Sequence, residues 1–449
     1  MPDPADGIGM VWILIIAFAL ATLASGAAIA YVAGATAVLS FFAVDAGRYL
    51  AILPQRVLSQ LDVFTFLAMP LFILAGELIS RGGITRALID FSMLVVGRLK
   101  GGLGHVNVAT SIFMAGISGS AVADAVATTS ALVPEMERRG YERTYAAALT
   151  AASSVIGPII PPSLVMIFYG ALMNVSVAAL FAGGILPGLC VAAGLFAYNA
   201  WAAHRHDHPG GLASDMPALL PTLIRAGPAL LVPIIVIAGI VFGVVTPTEA
   251  AALTVLVALA VSLFYALLDP DTSFSRALSI TMRNANAALE RTAILTGAIF
   301  VILFAAAIFG YLIAIQDVPQ MIRDLVASAG LTGVQYLILV MAILVLAGMV
   351  MDAMMALVLL VPLLVPAAIA GGADPVHVGV LVCLNLTLGL ISPPFGGCLM
   401  VVSTTSGVKY LTLARAIIPM FVIEVVILLV LVLFPDITLF LPRMSGLVP

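Results

Sequence analysis

The sequence predicts an all-α polytopic membrane protein built from two inverted repeats, each with a re-entrant helical hairpin and a Pro-broken transmembrane helix. Three observations lead there. Of 449 residues, 63% are hydrophobic and 9% charged, against roughly 25% charged in a soluble domain. The apolar segment from Leu103 to Met136 is too long for one relaxed crossing, yet it is basic at both ends: Arg98 and Lys100 precede it, and Arg138, Arg139 and Arg143 follow. Lys and Arg collect on the cytoplasmic side of short loops, so this segment enters the bilayer, turns and returns. The third observation is that its landmarks recur in the second half of the chain.

Taken in order, Met10 to Val44 is nearly unbroken apolar sequence, whereas one span needs about 20 residues. Two short spans breaking near Ser25-Gly26 are preferred; one long tilted helix is the alternative. Asp45 to Gln60, with Arg48, Arg56 and the following Asp62, reads as an interfacial helix before a span from Leu61 to Ser80. Thr85 to Lys100 is a second amphipathic connector. The first hairpin occupies 103–137 and turns at Gly116–Asp124. The next span, 144–174, contains Gly157-Pro158 and Pro161-Pro162-Ser163; prolines remove backbone donors and disfavour helix in the residue before them, so it breaks within the membrane.

Val177 to Ala203 closes a first repeat, 1–203. A central loop, 204–217, carries His204, His206 and His208, whose spacing suits either a metal site or, as preferred without a second ligand cluster, a solvated linker. The second repeat, 218–449, opens with spans from Pro221 to Val244 and Thr248 to Leu268, flanking the helix-start sequence Thr246-Pro247-Thr248-Glu249. Ser273 to Arg291 reads as an amphipathic connector and Thr292 to Ile315 as a separate span. A second hairpin, 331–370, turns at Gly348–Asp352; a second broken helix, 375–403, is interrupted at Ser392-Pro393-Pro394; and Tyr410 to Phe434 is the last span.

The repeat rests on intervals. Asp124-Ala125 precedes Pro134 by the same ten-residue step that separates Asp352-Ala353 from Pro362, and Pro161 to Pro187 and Pro393 to Pro419 are both 26 residues. Five crossings separate the two hairpins, and an odd number turns the second copy upside down. Its flanks, Asp317, Arg323, Asp324 and Asp374, lack the Arg cluster of the first. Inverted halves with paired helix breaks are the pattern of a secondary transporter whose site lies near the membrane midplane.

Broken helices expose carbonyls, which suit Na⁺ as a hard cation, and helix starts, which suit a carboxylate. One cation site is expected between Ser118, Gly119, Ser120, Asp124 and the break at Ser153, Ser154 and Gly157. The second is expected between Gly348, Met349, Asp352 and the break at Thr387, Gly389 and Ser392. The anion is placed near Pro161, Pro162, Ser163, Pro393, Pro394, Gly396 and Cys398. Small residues and Ser also serve as helix-packing surfaces. Asp124 and Asp352 are costly at membrane depth; each either ligates a cation or caps the returning helix of its hairpin, and replacing either by Ala is expected to abolish transport. Glu249 and Glu424 suit interfacial or intersubunit pairing better than proton carriage.

Other classes are disfavoured. A net charge of −4 without a basic run argues against nucleic acid. Cys190, Cys383 and Cys398 have no paired spacing, so neither disulfides nor zinc are expected. Asp3 and Asp6, with no Lys or Arg before Arg48, argue against a cleaved signal. His105 and His377 stand alone, and no protease, hydrolase or Walker motif is present, so neither an enzyme nor direct ATP drive is expected.

In Met69–Gly76, Ser118-Gly119-Ser120 with Ala123-Asp124, Gly140-Tyr141, Pro161-Pro162-Ser163 with Tyr169-Gly170, Met351-Asp352, Pro362, Asp374-Pro375 and Ser392–Gly396, the chain resembles the large membrane subunit of tripartite ATP-independent periplasmic (TRAP) transporters. One departure is Cys398, where the family often has Asn. The resemblance implies a bacterial inner-membrane importer working as an elevator, Na⁺ as coupling ion and no other cofactor. It also implies a small four-helix membrane subunit and a periplasmic binding protein that delivers an organic acid, such as a C4-dicarboxylate or a sialic or sugar acid. The alternative is a stand-alone Na⁺- or H⁺-coupled carboxylate or ion carrier that needs no binding protein.

Overall fold

The structure is a computed structural model that describes residues 4–27, 29–61, 64–210, 217–268 and 272–448. Asp3, Asp62 and the 211–216 part of the central loop lie outside the described residues. Twenty α-helices and no strand longer than an isolated bridge are found among the described residues, as expected where every backbone polar group needs an internal partner.

The first apolar run divides into α1 (Pro4–Ala24) and α2 (Ile29–Ala43), with the turn at Ser25-Gly26, where Gly26 has φ +83°. A 3₁₀ turn and α3 (Leu53–Leu61) lead into α4 (Ala68–Arg81) and α5 (Ile84–Val96). The first helix pair is α6 (Gly102–Ser118) and α7 (Ala121–Arg138); the interrupted helix after it is α8 (Arg143–Ser154) and α9 (Leu164–Met173); and α10 spans Val177–Arg205. In the second half come α11 (Leu219–Val241), α12 (Pro247–Leu267), α13 (Phe274–Ile315) and α14 (Val318–Ser328). The second pair is α15 (Gly333–Gly348) and α16 (Ala353–Ala370), followed by the interrupted α17 (Pro375–Gly389) and α18 (Gly397–Ser406), then α19 (Tyr410–Leu433) and α20 (Pro435–Met444). Both Pro-Pro pairs at the interruptions have cis peptide bonds. Seven helices among the described residues are long and apolar enough to cross a membrane.

Two apolar clusters organise these helices. The larger joins α6–α10 to α15–α20 and takes in the facing residues of α4, α11, α12 and α13, such as Met69, Val236, Ala250 and Leu303, and within it α8 and α17 bury nearly every side chain. The smaller links α4, α5, α11, α12 and α13 to the α6 face that carries Met114 and Ile117. An inner bundle of interrupted helices and helix pairs is thus set against an outer frame.

Three features differ from the sequence reading. The connector from Ser273 to Arg291 and the span after it are one 42-residue helix, α13, about 63 Å long at 1.5 Å per residue. Arg276, Arg283 and Arg291 mark a change in surroundings there, without a break in the helix. Glu249 joins Thr246 in a capping box, its Oε2 accepting the Thr246 N–H at 2.8 Å, so its role is local. The stretch after α10 is a clasp as far as Gly210: Lys100 Nζ meets Asp207 at 2.8 Å, Gly101 N–H donates to the Pro209 carbonyl at 3.2 Å, and His208 is buried between the rings of Tyr141 and Tyr145. It holds the end of α10 against the start of α6. Among the described residues no cluster of His, Cys, Asp or Glu suits a metal ion.

Candidate functional site

The tip of the first helix pair is made by three consecutive residues. Ser118 ends α6, Gly119 takes φ +59°, and Ser120 is the N-cap of α7, its Oγ accepting the Ala123 N–H at 3.4 Å. Glycine is needed at the turn twice over: the left-handed backbone disfavours a side chain, and an added Cβ would run into the Pro162 carbonyl oxygen. The tip is therefore seated on the interruption between α8 and α9.

Asp124 lies one turn inside α7 and is fully buried. Ser118 Oγ donates to its Oδ1 at 2.5 Å, while Oδ2 has no hydrogen-bond partner. Oδ2 is turned toward Gly157, where a Cβ would lie 2.5 Å from it. Because Ser120 already caps the helix, Asp124 is no cap. A carboxylate buried with a bare oxygen is costly unless compensated by charge.

Asp352 is placed differently. It is the N-cap of α16, its Oδ2 accepting the Met354 N–H at 3.0 Å. The ten-residue Asp-to-Pro step thus falls in different register: α7 begins three residues before its Asp, α16 directly after. Asn caps as well as Asp, and Ala costs about 1 kcal/mol. Asp352→Asn is therefore expected to keep the wild-type melting temperature while Asp352→Ala lowers it; equal melting of both variants would show that the cap is not what Asp352 contributes.

The other residues singled out by sequence separate into groups. Ser153 Oγ faces the α6 seam, bonding Ser111 Oγ at 2.9 Å and Asn107 Oδ1 at 3.0 Å, and Ser154 Oγ donates to the Ala151 carbonyl at 2.7 Å. Gly348 and Gly389 touch backbone to backbone, a Cβ on Gly348 lying 2.9 Å from the Gly389 Cα. Met349 is half-buried just beyond Gly348. Thr387 Oγ1 donates to the Leu384 carbonyl at 2.7 Å within α17, and Ser392 Oγ, in the interruption, donates to the Gly389 carbonyl at the end of α17 at 2.9 Å. Pro161, Pro162 and Ser163 are buried, and Ser163 caps α9 by accepting the Met166 N–H at 3.2 Å. Pro394 hands its carbonyl to the Tyr410 hydroxyl at 2.8 Å beside half-buried Pro393, and Gly396 N–H donates to the Ser392 carbonyl at 3.0 Å. Cys398 is buried next to Ser154.

Of the residues singled out by sequence, Ser118, Gly119, Ser120, Asp124 and Asp352 meet at one cavity of about 300 Å³, whereas Ser153, Ser154, Gly157, Gly348, Met349, Thr387, Gly389 and Ser392 do not line it. Its wall contains Ser118–Asp124 of the first tip, Asp352, Ala353 and Met354 of the second pair, Pro158, Leu164 and Val165 at one interruption and Leu390 at the other. The first turns of α7, α9 and α16 converge on it, and helix starts carry partial positive charge. The remaining wall comes from Met114 and Ile117 of α6 and from the outer frame: Ile73, Gly76, Glu77, Ile79 and Ser80 of α4, with Leu295 and Ile299 of α13. A Cβ on Gly76 would lie 3.4 Å from the Ser118 Cα, so this glycine lets frame and tip approach closely. Pro161, Pro162, Ser163, Pro393, Pro394, Gly396 and Cys398 do not line this cavity, and Pro394 is exposed. Sequence reasoning missed the frame residues; the Met69–Gly76 segment was the signal available for them.

The profile described as "Tripartite ATP-independent periplasmic transporter, DctM component" matches residues 14–437. The chain is 35% identical over 390 residues to the sialic acid TRAP transporter large permease SiaM of Vibrio cholerae, covering 87% of this chain and 89% of that one. It is 34% identical to the 2,3-diketo-L-gulonate TRAP transporter large permease YiaN of Escherichia coli (86% and 88% covered) and 31% identical to the C4-dicarboxylate TRAP transporter large permease DctM of Pseudomonas aeruginosa (92% and 93% covered). In fold it is similar to the YdaH transporter of Alcanivorax borkumensis, with a TM-score of 0.64 at 15% identity over 94% of this chain and 97% of that one. The chain belongs to the DctM family of TRAP transporters, and as such is a multi-pass permease of the bacterial inner membrane and not an enzyme.

Proposed function

We propose that this permease imports an organic acid by Na⁺-coupled secondary transport, with the acid delivered by a periplasmic binding protein and a small four-helix membrane subunit completing the complex. Organic acids are the named cargo of the relatives, including sialic acid, diketogulonate and C4-dicarboxylate. The observation that carries the reading is the cavity. It joins three helix starts, which favour an anion, to one buried carboxylate with a bare oxygen, which favours a cation.

The oxygen donors fit Na⁺. Asp124, with the hydroxyls of Ser118 and Ser120, would hold the ion, which would supply the positive charge that the buried carboxylate lacks. The two halves act as inverted repeats, and the inner bundle slides against the outer frame in an elevator stroke, carrying the cavity wall made by α7, α9 and α16 past the fixed wall of α4 and α13. Continuous α13 and the capped α12 suit a frame, and the clasp at His208 keeps α6 and α10 together during the stroke.

Uptake by proteoliposomes containing this chain and its small partner tests the reading, with the binding protein and an inward Na⁺ gradient added separately and labelled organic acids as cargo. Accumulation that needs both additions is expected. Uptake indifferent to Na⁺, or complete without the binding protein, would point to the stand-alone carrier instead.

A further inference from the structure

A second polar cavity lies farther along α13. It measures about 360 Å³ and is lined by Arg56 and Ser59 of α3, Ala306, Gly310 and Tyr311 of α13, and Leu172 and Pro362 of the inner bundle. From Ile299 in the main cavity to Gly310 is eleven residues of one uninterrupted helix, or about 16 Å. The second cavity thus bridges the same frame and the same bundle, displaced along the α13 axis.

Its charge is unusual for its side. The span Phe64–Arg81 ends in the run Arg81, Arg86, Arg98 and Lys100, so its far end, with α3 before it, faces away from the cytoplasm. Arg56 therefore stands where Lys and Arg are ordinarily depleted. Its guanidinium lies over the Tyr311 ring, 5.5 Å from the centroid, and among the described residues no carboxylate pairs with it. Tyr311 is itself braced by Phe41 and Tyr49 at centroid distances of 6.2 and 6.1 Å, so the cation is held on a rigid aromatic face with its donors free for a planar oxyanion.

We infer that the Arg56 cavity is a second carboxylate station, on the side away from the cytoplasm, where the organic acid rests against Arg56 and Ser59 next to the main cavity's path. This rests on the transport reading above. An anionic lipid headgroup offers the same oxyanion chemistry, and the test separates the two.

Ser59→Cys is introduced into the full chain, with Cys190→Ser to remove the half-buried thiol, and reconstituted with the small subunit in phosphatidylcholine vesicles. Labelling by a membrane-impermeant thiol reagent is timed with succinate or sialic acid present. Labelling roughly fivefold slower is expected at an acid concentration near four times Kd. Arg56→Gln should remove the protection and Arg56→Lys retain part of it, at unchanged elution on size exclusion. Protection that survives Arg56→Gln, none with either acid, or slowing by phosphatidylglycerol alone would each overturn the station. Normal uptake without protection overturns this inference only, whereas protection without any Na⁺-driven uptake overturns the transport reading and leaves the station standing.

Discussion

Asp124→Asn is expected to reduce Na⁺-driven uptake by roughly 100-fold, which corresponds to about 3 kcal/mol, the upper range for a hydrogen bond or ligand contact made by a charged group. The same variant should melt no lower than the parent in Na⁺-free buffer, because Asn removes a buried charge whose Oδ2 has no partner. The two directions together identify the role. A residue needed only for packing would lose stability along with transport; a cation ligand loses transport while the empty site relaxes. A third readout does not involve transport: replacing K⁺ by Na⁺ should raise the melting temperature of the parent by mass action and leave Asp124→Asn unmoved. If both proteins respond equally to Na⁺, Asp124 is not a ligand.

Gly119→Val should be the most damaging substitution of a residue without a functional group. The backbone at φ +59° costs a β-carbon about 1–2 kcal/mol, and the new side chain must displace the Pro162 carbonyl, an overpacking cost of about 1–3 kcal/mol. Loss of the monodisperse peak after mild heating, and of uptake, is expected. Gly227→Val is the control, since no atom lies within 4 Å of its added Cβ and its φ is not positive; it should melt like the parent. Matching behaviour of the two valine variants would show that the tip is not seated on the interruption.

How far such features can be read from sequence depends on what sets them. The helix pairs and interruptions are visible because proline chemistry, segment length and flanking charge are local properties. Helix register at the tips is not: Asp124 and Asp352 share a ten-residue step to Pro134 and Pro362, yet one is a bare carboxylate and the other a cap, because Ser120 starts its helix earlier and no residue does so in the second half. The continuity of α13 through Arg291 is not legible for a different reason: a helix can pass from interface to apolar surroundings without any change in backbone. The site was legible in its polar tip and not in its wall. Gly76 and Ile299 reach the cavity only because α4 and α13 pack across it, a long-range arrangement that hydropathy does not encode. The clasp at His208 was hidden likewise, since its partners Tyr141 and Tyr145 come from elsewhere in the chain.

The seat of Gly119 on Pro162, with Asp124 Oδ2 turned onto Gly157, has a bearing on energy economy. A tip whose glycine is seated this closely on the Pro162 carbonyl has no room to fold inward as a hinged flap without moving the interruption itself. On the transport reading proposed above, a tip that moves only with the interruption beneath it ties its displacement to that of the whole inner bundle, which would limit the loss of Na⁺ down its gradient with no acid aboard.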